Sequence, residues 1–131
     1  MSPKINGFLL DTTCLINILR NNQETLKFCI NLSDEYPLAS CPITVAEIFS
    51  GLRPGEIERV NELLEATEYY PVSYYTARQA GLLRHSYAKK GINLSMTDLL
   101  IASVAIKHSL ILVTKNVRHF PMPELNVIQH P

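Results

Sequence analysis

An α/β fold with a mostly parallel central sheet is the architecture that the sequence predicts. Short apolar segments alternate along the chain with longer segments whose apolar residues recur every three or four positions, the spacing of a helix. Strands that are separated by helices are joined by crossover connections, which favour parallel pairing. The length of 131 residues, with 47% hydrophobic and 18% charged residues, predicts a single domain over residues 1–131.

The individual elements follow from local patterns. Arg53, Pro54 and Gly55 form a helix stop, and Gly91 is a second one. The segment that Thr97 opens is apolar nearly all round, which predicts a buried helix. The predicted strands cover residues 5–10, 37–41, 69–72, 110–113 and 127–128, and the predicted helices cover 13–21, 23–33, 44–52, 57–64, 75–90 and 97–108.

Cysteine usage and hydropathy bear on the location of the protein. Cys14, Cys29 and Cys41 are odd in number and form no CxxC pair, so we expect buried free thiols in a reducing compartment. The N-terminal residues do not read as a secretory signal, and no run of about 18 apolar residues is present. We therefore expect a cytoplasmic protein with no membrane association.

Three carboxylates lie where apolar elements begin or end. Asp11 follows the first predicted strand, Glu47 lies near the start of a helix, and Asp98 opens the buried helix. Each also has a purely structural interpretation. Asp11 can cap a helix, Thr44 to Glu47 fits a capping box, and Asp98 can complement a helix dipole.

Considered together, these acids predict a metal site. Each is attached to strongly apolar sequence, and acids at the edges of buried segments tend to converge where those segments meet. In parallel sheets, ligands bind beyond the carboxyl ends of the strands. Three carboxylates in one cleft repel one another unless a cation lies among them, and Mg²⁺ or Mn²⁺ takes such oxygen ligands. This arrangement suits hydrolysis of phosphate esters by a metal-activated water.

Three segments carry a resemblance to a known family: LLDTTCLINIL, TVAEIFSGL and TDLLIASVAIKHSLILVTKNVRHF. Their order and spacing resemble the motifs of PIN-domain ribonucleases, especially VapC-type toxins of toxin–antitoxin pairs. The resemblance implies a PIN-like α/β/α sandwich and an endoribonuclease that depends on Mg²⁺ or Mn²⁺. It also implies an RNA substrate, a VapB-like antitoxin partner and a homodimer.

The resemblance also assigns roles to residues. It makes the three acids metal ligands and catalytic residues. Thr12 or Thr13 matches a hydroxyl that often follows the first acid, with Thr13 the residue that we assign to the site, and Thr114 matches the hydroxyl that ends the last core strand. Asn116 stands where a fourth acid often follows, so a second metal ion has one charged ligand fewer.

A neutral protein that cuts RNA needs a local basic surface, because Lys plus Arg equals Asp plus Glu at 12 each. Lys115 and Arg118 follow the last core strand, and we predict that they contact RNA phosphates. Lys89 and Lys90 more simply complement a helix C-terminus. His119 is interpreted as a loop histidine.

Two other functions stay open at this point. The domain can be a PIN-like module that only binds RNA or a protein, which the Asn116 substitution favours. A strand that ends in Asp11-Thr12-Thr13 is also similar to that of haloacid-dehalogenase-like phosphatases, but the second aspartate of that motif is replaced by Thr13.

Overall fold

A five-stranded parallel sheet forms the centre of the computed structural model, which describes residues 4–131. Its strand order is β3-β2-β1-β4-β5. The predicted α/β class with a parallel sheet is therefore confirmed. The strands are β1 (Gly7–Leu10), β2 (Leu38–Ser40), β3 (Glu68–Tyr69), β4 (Leu110–Thr114) and β5 (Val127–Gln129).

Six α-helices cover the two faces of this sheet. A hydrophobic cluster lies between one face of the sheet and the first four helices of the chain, and a second hydrophobic cluster lies between the other face and the last two helices. The protein is thus an α/β/α sandwich, as the family resemblance implies. The helices are α1 (Thr12–Leu19), α2 (Gln23–Ser33), α3 (Pro42–Ser50), α4 (Ile57–Glu65), α5 (Tyr74–Lys89) and α6 (Met96–His108).

The central strand β1 separates the two halves of the core. Phe8 and Leu10 point into the cluster with α1 to α4, whereas Leu9 points into the cluster with α5 and α6. This alternation is the period of two that a strand imposes, and burial on both faces explains the continuous apolar run. The all-round apolar helix α6 is buried as predicted, with Leu99, Ala102 and Val104 fully enclosed.

The strand order places a topological switch point beside β1. The chain proceeds from β1 outward to β2 and β3, and then returns to build β4 and β5 on the opposite side. At such a point the loops after two neighbouring strands diverge and leave a crevice at their carboxyl ends. Here the crevice lies after Leu10 of β1 and Thr114 of β4, which are adjacent in the sheet.

Two predicted boundaries are wrong in ways that matter. Helix α3 begins at Pro42, two residues before the predicted start, and Cys41 is its N-cap. Proline is favoured at this first helical position, because its missing N–H needs no partner there. Thr44 completes this cap, because its hydroxyl accepts a hydrogen bond of 3.3 Å from the backbone amide of Cys41. The capping-box interpretation of Glu47 is therefore wrong, since Glu47 lies in the second turn.

Strand β3 is also displaced, because it covers Glu68–Tyr69 and ends before most of the predicted 69–72 segment. The helix stop at Gly91 is confirmed by its φ of 78° after the end of α5. The cysteines Cys14, Cys29 and Cys41 are buried and free, as predicted. Over residues 4–131, none of the helices has both the length and the apolar character that a membrane crossing requires.

Candidate active site

A polar cleft of about 130 Å³ opens at the switch point between β1 and β4. Residues from both sides of the sheet and from three helices converge on it, so the predicted meeting of distant acids at the strand ends is observed. The cleft is lined by Asp11, Thr12, Thr13, Glu47, Asp98, Ile101, Thr114, Asn116, His119 and Phe120.

Asp11 lies at the bottom of this cleft and is 8% exposed. It caps helix α1, because its Oδ1 accepts a hydrogen bond from the Cys14 amide at 2.8 Å. The capping interpretation is therefore correct, but it accounts for only part of the environment. Oδ1 also lies 3.1 Å from Nε2 of His130, and Oδ2 accepts a longer bond of 3.4 Å from the Lys115 amide.

These contacts determine the charge of the Asp11 carboxyl group. Burial acts to raise its pKa, but hydrogen bonds from His130, the Cys14 amide and Thr114 outweigh burial and lower the pKa below its ordinary value. Burial acts to lower the pKa of His130, but the hydrogen bond to Asp11 and the negative charge of Asp11 outweigh burial and raise the pKa of that imidazole. Asp11 is thus held as a carboxylate inside the protein.

Glu47 reaches the cleft from the exposed face of α3. Its Oε1 accepts a hydrogen bond of 2.8 Å from the hydroxyl of Thr12. The bond joins the start of α1 to α3 and orients the second acid toward the first. The sequence left Thr12 and Thr13 as alternatives for a site hydroxyl, and both line the cleft, but the bond to an acid belongs to Thr12.

Asp98 enters from the first turn of α6, where Ser95 is the N-cap. Its position agrees with the predicted dipole complement, and its Oδ2 also lies 3.4 Å from Nδ1 of His119. His119 therefore lies at the cleft and not in an unrelated loop. Thr114 is buried at the end of β4, and its Oγ1 accepts a hydrogen bond of 3.1 Å from the Asn116 amide.

The donor set of the cleft fits a hard cation. Three carboxylates and several hydroxyls offer oxygen atoms, the ligands that Mg²⁺ and Mn²⁺ prefer. The three acids are not close enough together to form a compact ligand set. Among residues 4–131, the histidines, cysteines and acids whose donor atoms all lie within 4.8 Å of one another are Asp11, Cys14 and His130. An ion in the wider cleft would keep several water ligands, as Mg²⁺ usually does.

A second groove of about 300 Å³ adjoins the cleft. Lys115 and Arg118, the two predicted RNA contacts, are exposed and line it, and Asn116 and His119 line both cavities. Positive charge is therefore available immediately beside the acids. Lys89, at the end of α5, is not among the residues that line either cavity.

His130 is the site residue that the sequence analysis missed. It lies 119 residues from Asp11 in the chain, and its contact with Oδ1 is completely internal. A topological signal for it exists. His130 directly follows β5, which pairs in parallel with β4, so it emerges at the same edge of the sheet as Asp11 and Thr114.

Comparisons with known proteins agree with this architecture. The model of the PIN domain family matches residues 8–123. The chain therefore belongs to the PIN-domain family. Within it, the chain is 33% identical over 116 residues to Ribonuclease VapC10 of Mycobacterium tuberculosis (strain H37Rv), covering 88% of this chain and 87% of the relative. It is 32% identical over 121 residues to Ribonuclease VapC19 of the same organism, covering 89% and 95%. The resemblance to VapC-type proteins is thus confirmed.

Solved structures of the same type share the fold. A DNA-bound VapBC from Salmonella typhimurium superposes with a TM-score of 0.80 at 25% identity, covering 95% of this chain and 98% of that chain. VapBC2 from Rickettsia felis, bound to a DNA fragment from its promoter, gives a TM-score of 0.81 at 23% identity, covering 95% and 99%.

Proposed function

We propose that the protein is a toxin-type endoribonuclease that depends on Mg²⁺ or Mn²⁺ and hydrolyses RNA phosphodiesters with water. The observation that supports this most is that Asp11, Glu47 and Asp98, from three separate elements, line one polar cleft at the switch point of the sheet. The names of the two mycobacterial relatives, both ribonucleases, support the same reaction.

The residues of the cleft would have different roles in this reaction. The carboxylates of Asp11, Glu47 and Asp98 would hold the cation. A bound Mg²⁺ or Mn²⁺ supplies acidity to a water nucleophile and neutralises charge that develops on the phosphate. Because Oδ1 of Asp11 is engaged by His130 and the Cys14 amide, Oδ2 is the oxygen left for the cleft.

Supporting residues hold these acids and the substrate in place. Thr12 fixes the rotamer of Glu47 through its hydroxyl, and Thr114 organises the turn that carries Asn116. Lys115 and Arg118 would bind RNA phosphates in the adjoining groove, which positions the strand without reading its sequence. Thr13, which lines the cleft, would contact the substrate or a water ligand.

Asn116 favours one cation over two at the three acids. It lines the cleft at the position where a fourth acid is often found, and its amide can offer an oxygen but no charge. A second cation would then be held mainly by the RNA phosphate.

The proposal extends to partners and location. The similar structures are complexes of a VapC protein with VapB, so we propose that a VapB-like antitoxin binds this chain and blocks its cleft. We also propose that the protein is cytoplasmic and forms a homodimer.

The test compares Asp11→Asn with Asp34→Asn, which removes an exposed acid at the end of α2. We expect the wild-type chain to cleave single-stranded RNA with Mg²⁺ or Mn²⁺, to be inactive in chelator, and to leave 5′-phosphate and 3′-hydroxyl ends. Asp11→Asn should lose activity by about 100-fold or more, because the ion loses a charged ligand. Asp34→Asn should retain it.

Four results would contradict this function. Products that end in 2′,3′-cyclic phosphate would show that the ribose hydroxyl, not water, is the nucleophile. Full activity of Asp11→Asn would remove the central acid from the mechanism. A phosphoenzyme trapped on Asp11 would indicate a phosphatase instead, and RNA binding without cleavage would indicate a binding module.

A further inference from the structure

We propose that the interior side of Asp11 forms a second metal site, distinct from the cleft, that binds a zinc-class cation through Asp11, Cys14 and His130, with the sulfur of Cys29 as the next donor. Donor atoms of the first three residues all lie within 4.8 Å of one another. The sulfur atoms of Cys14 and Cys29 are 3.3 Å apart.

Two of these donor separations are close to those of a tetrahedral zinc site, whereas the Cys29 sulfur lies outside the group of mutually close donor atoms and would have to approach the ion from beside Cys14. Zinc bonds of about 2.0–2.3 Å in a tetrahedron place neighbouring donor atoms roughly 3.3–3.8 Å apart. The observed separations are 3.1 Å between His130 Nε2 and Asp11 Oδ1, and 3.3 Å between the two sulfur atoms. Small outward movements of these side chains would therefore admit the ion.

The chemistry of the donors selects a metal different from that of the cleft. Thiolate and imidazole ligands favour zinc and similar transition metals, whereas carboxylates and hydroxyls favour Mg²⁺ and Mn²⁺. Asp11 separates the two environments, because its Oδ1 faces His130 and its Oδ2 faces the Lys115 amide at the rim of the cleft.

His130 is held in the orientation that a metal ligand needs. Its Nδ1 lies 3.1 Å from the backbone oxygen of Pro131, which can only accept, so Nδ1 carries a proton. Nε2 donates to Asp11 Oδ1 when no ion is bound, and it would release its proton to solvent, as the Cys14 thiol would, when the metal binds. Metal-binding histidines are commonly oriented by such a bond from the remote ring nitrogen. Entry of an ion requires only local opening, since His130 follows β5, a three-residue strand at the edge of the sheet.

One consequence rests on the proposed function, although the site itself does not. A zinc ion on Oδ1 of Asp11 would draw negative charge away from the shared carboxylate and would distort the first acid, so that Oδ2 would bind the catalytic cation less well. Zinc would then be an inhibitor of Mg²⁺-dependent cleavage that acts from inside the protein, and mutation of Cys14 would relieve the inhibition.

The binding test uses Co²⁺ as a spectroscopic substitute for zinc, added to the reduced full chain. We expect a sulfur-to-cobalt charge-transfer band in the near ultraviolet, one equivalent at saturation, displacement by Zn²⁺, and a higher Tm with either ion. Cys14→Ala should lose the band and Cys29→Ala should weaken it. Cys41→Ala, which removes another buried free thiol, should leave it unchanged. Circular dichroism and the Tm of each variant check that it folds.

The proposal fails if the folded wild-type chain shows no band, if Cys14→Ala keeps it, or if Cys41→Ala loses it. A Cys14–Cys29 disulfide in protein purified under non-oxidising conditions would also overturn it. Because the band is read without RNA, its outcome is independent of nuclease activity. In the activity arm, Zn²⁺ should inhibit the wild-type and Cys41→Ala chains at lower concentrations than it inhibits Cys14→Ala.

Discussion

Thr12 and Thr13 are adjacent hydroxyls at the same cleft with different contacts. Thr12 donates to Glu47, whereas Thr13 is exposed and lines the cleft. We expect Thr12→Val to reduce kcat roughly tenfold, because residues that orient a metal ligand commonly contribute this much. The measurement is RNA cleavage over a range of Mg²⁺ concentrations, in which Thr12→Val should also need more Mg²⁺.

Thr13→Val is the comparison variant for this prediction, because it removes a second hydroxyl of the cleft and leaves the bond between Thr12 and Glu47 intact. A loss of kcat in Thr13→Val that exceeds the loss in Thr12→Val would show that the hydroxyl at position 13, not the orientation of Glu47, matters for the reaction.

Asp11 shows how far a single residue can be interpreted from sequence. Its position after an apolar strand and before a helix predicts a cap or a metal ligand. The structure shows the cap, in which Oδ1 accepts from the Cys14 amide, and it places the same carboxylate in the cleft. Its partner His130 was not predicted, because that contact depends on the pairing of β5 with β4 and has no local pattern.

At the scale of elements, the helix and strand patterns predicted the order and the approximate bounds of the sheet and the helices. The errors have one local cause and one tertiary cause. Pro42 starts α3 early because it satisfies the first helical position, and this changes the role of Glu47 from a cap to a residue of the cleft. The short 3₁₀ turn Val117–His119, which brings His119 to Asp98, was not predicted either.

Glu56, which directly precedes α4, connects that helix to the end of α1 and makes the free energy of unfolding depend on pH. Its Oε1 accepts a hydrogen bond of 2.7 Å from the Arg53 amide, and its Oε2 lies 3.6 Å from Arg20, just after α1. The bond from the Arg53 amide is the main reason that the pKa of Glu56 lies below its ordinary value of 4.5. A lowered pKa means that the ionised carboxylate stabilises the folded state above pH 4.5, and that this contribution is lost as the pH falls through the folded-state pKa.

We therefore expect Glu56→Gln to lower the Tm at pH 7, and the difference from the wild-type chain to shrink as the pH falls below 4.5 and to disappear once the pH is below the folded-state pKa of Glu56. Thermal unfolding followed by circular dichroism at several pH values measures this difference. Glu62→Gln is the control, because Glu62 is exposed in the middle of α4, the helix that begins directly after Glu56. Its Tm should differ little from that of the wild-type chain at any pH. A Tm difference for Glu56→Gln that is constant with pH would contradict an ionic origin.

At the scale of the whole molecule, charge and topology have separate consequences. The net charge is zero, so the chain has no general positive field, and under the proposed function the basic side chains that would attract RNA are those that the fold places beside the acids. The switch point explains why this occurs. Strands β1 and β4 are distant in sequence but adjacent in the sheet, so Asp11 and Asn116, which follow their carboxyl ends, line one cleft. Glu47 and Asp98 reach the same cleft from α3 and α6. The sequence therefore allowed the prediction that the acids share one cleft, but it did not allow a prediction of the distances between them.

The consequence for a cell follows from an active cleft that is open to solvent in the isolated chain. We expect expression of the chain alone to stop bacterial growth, because uncontrolled RNA cleavage depletes transcripts, and expression of Asp11→Asn at the same protein level to have no such effect. If the proposed function holds, co-expression of a VapB-like antitoxin that binds the chain should restore growth. That antitoxin should co-purify with both the wild-type and the Asp11→Asn chain, since binding does not require cleavage. Growth curves with matched immunoblots measure the first effect, and affinity purification measures the second. If Asp11→Asn stops growth as effectively as the wild-type chain, the toxicity arises from binding and not from hydrolysis.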